Sequence, residues 1–93
     1  MQKPSLGRVV IALVDPATNN GADEAPAIIT RVWSDTIVNA RVLLDGDQTP
    51  WKTSISLHPD REAVDAARSK VAEDSGIALS AVRMHAAFWP PRV

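Results

Sequence analysis

The hydrophobic pattern changes period once along this chain, after His58, and that change separates a sheet-forming part from a helical one. Arg8–Val14 is an apolar run with β-branched residues at Val9, Val10, Ile11 and Val14, bounded by Gly7 and Asp15-Pro16. It predicts a short strand buried on both faces. Residues 16–26 are rich in turn formers and turn acidic at their end, so they read as a loop with Asn20-Gly21 as its tight turn. Strand character resumes over Ala27–Trp33, and Ser34-Asp35 marks a compact turn. In Thr36–Leu44, Val38, Ala40, Val42 and Leu44 share one face while Ile37, Asn39, Arg41 and Leu43 take the other. Asp45-Gly46-Asp47-Gln48 is a hairpin-like turn signal. The cleanest alternation runs from Trp51 to His58, with Trp51, Thr53, Ile55 and Leu57 on one side and Lys52, Ser54, Ser56 and His58 on the other. That is the pattern of a half-buried strand.

Beyond His58 the spacing becomes helical. Asp60 is placed to cap a helix, and Glu62 in its first turn suits the positive helix end. Val64, Ala67 and Val71 recur at helical spacing beside Ala63 and Ala72, Arg61–Asp65 and Lys70–Asp74 are four apart, and Gly76 can close the C-terminus. The helix therefore spans about residues 60–75. Its apolar stripe is thin, because alanine buries little area, so it leans either on the sheet or on a partner. Residues 77–83 fit a second short helix, capped in part by Ser80, or a lead-in to a final strand over Met84–Trp89 that Pro90-Pro91 ends. This order predicts a single domain over residues 1–93, mainly β (α+β): an SH3-like, partly closed barrel of about five strands with one helix inserted before the last.

Composition narrows the function classes. Ten basic residues stand against eleven acidic ones, which counts against a nucleic-acid binder or a polybasic membrane-surface protein. With one Phe, no Tyr and three Trp, the core must be built chiefly from Val, Ile, Leu and Ala. There is no cysteine, hence no disulfide and no thiolate chemistry. The expectation is a cytoplasmic protein with neither a signal peptide nor a membrane span.

Candidate chemistry is sparse. His58 and His85 lack ligand spacing, so both are read as structural or solvent-facing. Asp45-Gly46-Asp47 lacks the further ligands of a calcium loop, and no serine sits in a nucleophile-elbow context. The expectation is a non-enzymatic protein with no cofactor and no metal. Trp33, Trp51, Phe88 and Trp89 could form a groove or stacking platform, or pack the core. Trp51 and Trp89 are assigned to the core; Trp33, beside a turn, suits core or surface equally. Because Trp and Arg dominate interface hot spots, the candidate partner-contact residues are Arg31, Trp33 and Asp35 on the sheet, with Val64 and Val71 on the helix.

Two resemblances bear on these readings. Ala12-Leu13-Val14-Asp15 is similar to the Ala-Leu-Tyr-Asp-Tyr start of signalling SH3 domains, but Val14 and Pro16 replace both groove tyrosines, so no peptide function carries over. Lys3-Pro4-Ser5-Leu6-Gly7-Arg8-Val9-Val10 and Trp89-Pro90-Pro91-Arg92-Val93, with Ala27–Val32 between them, resemble small actinobacteriophage proteins of unknown function. The stretch from Asp60 to Arg83 departs from that group's pattern. The resemblance implies a phage accessory protein in the cytoplasm of an infected bacterium. It would bind and inhibit or redirect a host protein of the growth, division, transcription or replication machinery. The alternative is a small virion or assembly protein that self-associates, for which a homodimer through the Val64/Val71 stripe is the natural form.

Overall fold

Five is an odd number, so a barrel of five consecutive strands that alternate in direction cannot close without one parallel pair. The computed structural model, which describes residues 2–79, 82 and 85–91, places that pair at the seam. Strands β1 (Val9–Leu13), β2 (Glu24–Ser34), β3 (Ile37–Val42) and β4 (Trp51–His58) form an antiparallel meander; α1 (Arg61–Ser75) follows, and β5 (Ala86–Phe88) returns. β5 pairs antiparallel with β1 and parallel with β4, closing the barrel in the order β1-β2-β3-β4-β5. Parallel neighbours need a crossover, and α1 lies within it. The fold is thus the mainly β barrel with a helix before its last strand that the sequence predicts, closed rather than partly closed.

A five-stranded barrel is narrow, since diameter grows with strand number. Five of the twelve described interior side chains are accordingly alanines: Ala12, Ala25, Ala27, Ala40 and Ala87. They interleave with Val10, Ile29, Val38, Val42, Ile55 and Leu57, and one ring, Trp89, shares this core. Trp89 donates its amide to the His58 carbonyl at 3.2 Å, prolonging the β4–β5 ladder. The guanidinium of Arg8 lies over its indole, 4.9 Å from the centroid.

A second apolar layer lies outside the barrel under α1. Val64 is fully buried in it with Ala86 and Phe88, against the half-buried Ile11 and Leu13. This layer explains the continuous apolar run of β1. Val10 and Ala12 point in, while Ile11 and Leu13 point out beneath the helix. The strand is Val9–Leu13 rather than Arg8–Val14, and the expectation of burial on both faces fails at its start, where Arg8 is exposed and Val9 is 47% exposed beyond the helix's cover. β5 is buried at all three residues for the same reason.

The helix boundaries are those predicted. Asp60 accepts from the Ala63 amide at 2.8 Å, and Gly76, in the left-handed region, closes the C-terminus with a Schellman pattern that bonds the Ile77 amide to the Ala72 carbonyl. A Ser or Asp cap is worth about 1 kcal/mol, so the caps set where the helix begins and ends while Val64 decides where it sits. The ion pairs contribute less. Arg61 reaches Asp23, Glu24 and Asp65, but every partner is at least 42% exposed, and such pairs contribute only ~0–1 kcal/mol each. Burial alone would make the Arg61 guanidinium easier to deprotonate; its hydrogen bonds to Asp23, Asp65 and Glu24 outweigh that and raise its pKa further.

Several expectations are corrected. β2 begins at Glu24, not Ala27, because Ala25 faces the core and Pro26 sits opposite Ile11. The 16–26 loop is therefore shorter, and it contains a 3-10 turn at Pro16–Thr18. Asn20 and Gly21 both take positive φ, as a tight turn there requires. The connection around Asp45–Gln48 spans residues 43–50 and is no tight hairpin. The final strand occupies Ala86–Phe88 only; Ser80 as a cap and Met84 as a strand start fall outside the described residues.

Val64 and Val71 separate the two burial states of the helix. Truncating Val64 to Ala removes two buried methyl groups and leaves a void, which should cost about 2–3 kcal/mol. Val71→Ala, at a position 39% exposed, should cost under about 0.5 kcal/mol. Urea unfolding of the two variants checks the contrast, and equal losses would overturn this placement of the helix.

Candidate functional site

On the outer face of β2, β3 and β4, away from the helix, three register shifts rearrange the side chains. Two lie between β2 and β3, at Ile29/Arg31 and Val32/Ser34, and take Arg31 out of the inward series of Ala25, Ala27 and Ile29; the third lies between β3 and β4. Val38 pairs with Ile55 and Ala40 with Lys52, so two steps along β3 face three along β4. The extra residue lies in the stretch that holds Ser54, which takes φ 55, an uncommon conformation for a residue with a Cβ. Asn39 sits opposite this bulge. Its neighbours Val38 and Ala40 point into the core, so its own side chain points out, yet it is only 5% exposed. Its Oδ1 accepts from the Ser54 amide at 2.9 Å, from Thr53 Oγ1 at 3.0 Å and from the Trp33 indole Nε1 at 2.9 Å. Two of those donors have no acceptor capacity, which fixes the amide orientation of Asn39.

The bulge shifts the alternation of β4. Ile55 and Leu57 remain in the core, whereas Trp51, expected beside them, is 51% exposed and pairs with Arg41 on the outside. Trp33 is 54% exposed and carries Arg31 over its ring, 4.0 Å from the centroid. Ile28 pairs with Arg41 and Val9 with Ile28, so one outward row crosses four strands: Val9, Ile28, Arg41, Trp51. Arg31 pairs with Asn39, two residues from Arg41 on β3, a step of about 7 Å. Two tryptophans and two arginines therefore share one face.

Of the expected contact residues, Arg31 and Trp33 are together on this face, and Asp35 lies exposed in the turn beyond them. Val64 is corrected: fully buried against the barrel, it cannot meet a partner, and the helix leans on its own sheet. Val71 is exposed on the far part of α1, away from the tryptophan face. Trp51 and Arg41 were missed because nothing in Thr53-Ser54 marks a left-handed bulge; a Gly or Asn at position 54 would have been the signal.

A separate cavity of about 690 Å³ opens at one end of the barrel, between the 15–18 turn and α1. Val42, Leu44 and Ile55 line its floor, and Lys52, Arg68 and His85 its rim. His58 ends β4 half-buried, opposite Phe88. Among the described residues no group of three or more His, Cys, Asp or Glu side chains could hold a metal ion. No helix among them is long and apolar enough to cross a membrane. Comparison with known proteins returns no matching family model, no matching curated protein and no matching solved structure.

Removing the Asn39 acceptor tests how this face is held. Asn39→Ala leaves the Ser54 amide and the Trp33 indole without their partner and should cost about 2–3 kcal/mol. Hydrogen exchange at the Ser54 amide should accelerate, and the Trp33 indole should lose protection with it. Unchanged exchange at both would show that the bulge stands without Asn39.

Proposed function

We propose that the protein is a non-enzymatic interaction module, a phage-type accessory protein that binds a bacterial host protein and inhibits or redirects it by occupying its surface. The observation that carries this reading is Trp33, half exposed yet held in place by Asn39 below and Arg31 above. A ring fixed before binding loses little side-chain entropy on contact, which is what an anchor needs. Trp51 and Arg41 extend the patch, and the resemblance of both chain ends to small actinobacteriophage proteins supports the setting. Growth, division, transcription or replication machinery are the target classes that fit, all of them in the host cytoplasm.

Self-association as a virion or assembly component is the second reading, favoured by the exposed Val71, Ile77 and Leu79 around the end of α1. The two readings use different surfaces. Capture from actinobacterial lysate on immobilised protein, with Trp33→Ala and Val71→Asp run in parallel, distinguishes them. Host binding predicts one enriched protein that Trp33→Ala reduces by about tenfold or more, an effect of hot-spot size, and that Val71→Asp leaves intact. Sedimentation showing a dimer that only Val71→Asp dissolves, with no captured protein, would replace it with the structural reading.

A further inference from the structure

The cations of this chain are not distributed alike. Of its eleven acidic residues, none lies in Ala25–Ser34, Ile37–Val42 or Trp51–His58, the stretches that form the outer β2–β3–β4 face. The carboxylates sit on α1 and its cap Asp60, at Asp15 and Asp23 in the first loop, at Glu24, the first residue of β2, which turns to Arg61 on the helix side, and in the turns at Asp35, Asp45 and Asp47. On the helix side Arg61 is surrounded by Asp23, Glu24 and Asp65, and Lys70 pairs with Asp74. On the tryptophan face, Arg31 and Arg41 have no carboxylate within ion-pair distance among the described residues. Arg41 spends one N–H on the Thr49 carbonyl at 3.3 Å, a contact that leaves its charge uncompensated.

The stacking of Arg31 adds direction to that charge. With the guanidinium over the Trp33 ring, its N–H donors lie in the cation's own plane and can donate at its edge to the two oxygens of a planar, bidentate anion. Trp33 and Trp51 supply apolar area beside the two cations, with Ile28 and Val9 continuing the row.

We propose that this face recognises a carboxylate-bearing segment of another protein, with Arg31 and Arg41 taking Asp or Glu side chains and Trp33 and Trp51 covering the apolar residues between them. The inference rests on the interaction-module reading and names the chemistry of that module's partner. A single-stranded nucleic acid is the poorer occupant. Such grooves follow the backbone with a series of cations, whereas this face offers two, on a chain of net charge −1 with Asp35 at its edge.

Selection of a random dodecapeptide display library on the immobilised protein tests this even with the target unidentified. Selected peptides should be enriched in Asp and Glu next to Leu, Phe or Tyr. Their synthetic versions should bind about tenfold or more weakly to the double variant Arg31→Glu/Arg41→Glu, with a smaller loss for Arg31→Lys/Arg41→Lys. Both arginines are exposed, and circular dichroism establishes that the variants remain folded. Peptides without an acidic excess, or acidic peptides that bind the charge-reversed variant equally well, would overturn the proposal. Tighter binding of a twelve-nucleotide oligothymidylate than of any selected peptide, lost on charge reversal, would also overturn it and assign the face to nucleic acid.

The two proposals fail separately. Host capture that depends on Trp33 but survives charge reversal would sink the carboxylate chemistry and leave the module standing. Acidic peptides bound at this face, with host capture indifferent to Trp33→Ala, would support the chemistry and sink the host-capture reading.

Discussion

Closure of five strands with a single parallel seam is the constraint on which the rest of this structure depends. The seam forces a crossover between β4 and β5, and the chain fills part of it with a fifteen-residue helix. That helix must rest somewhere, and Val64 settles it over β5 and β1. Both strands are thereby covered inside and out, which is why their sequences are apolar almost without interruption. The same packing consumes most of the helix's small apolar stripe. What the helix has left for another molecule is Val71, at its far end.

Two buried asparagines hold the parts that regular pairing cannot. Asn19, 2% exposed, accepts from the Asp45 amide and donates to the carbonyls of Ala22 and Glu24, joining the first loop to the 43–50 connection. Asn39 does the equivalent on the outer sheet face, binding the bulge in β4 to Trp33. In each case one short amide satisfies backbone groups that a loop or bulge would otherwise leave unpaired, at a net gain of about 1 kcal/mol per hydrogen bond. For Asn39 the consequence reaches function. The bulge it secures turns Trp51 outward, and the indole it accepts from is the proposed anchor.

The helix was legible to the residue, from Asp60 to Gly76, because caps and spacing act within a few residues of one another. The order of strands was legible too, since alternation and turn residues are local signals. The start of β2 was not, because Glu24-Ala25-Pro26 looks like loop until Ala25 is seen to face a core too narrow for anything larger. Of the candidate site, Trp33 and Arg31 could be named from their turn-side position and residue type. Trp51 could not, since a perfect alternation from Trp51 to His58 is broken at Ser54 by nothing the sequence displays.

The chain by itself therefore determined its elements, their order, the small-residue core and the absence of carboxylates from β1, β3, β4 and β5. Tertiary structure alone decided which side of each strand meets the core, that Val64 belongs to the protein's own interior, and that two tryptophans and two arginines share one surface. The division has a physical cause. Capping, turn formation and periodicity are set by neighbours in sequence. Burial and register are set by pairing across strands, where one inserted residue reverses every side chain beyond it.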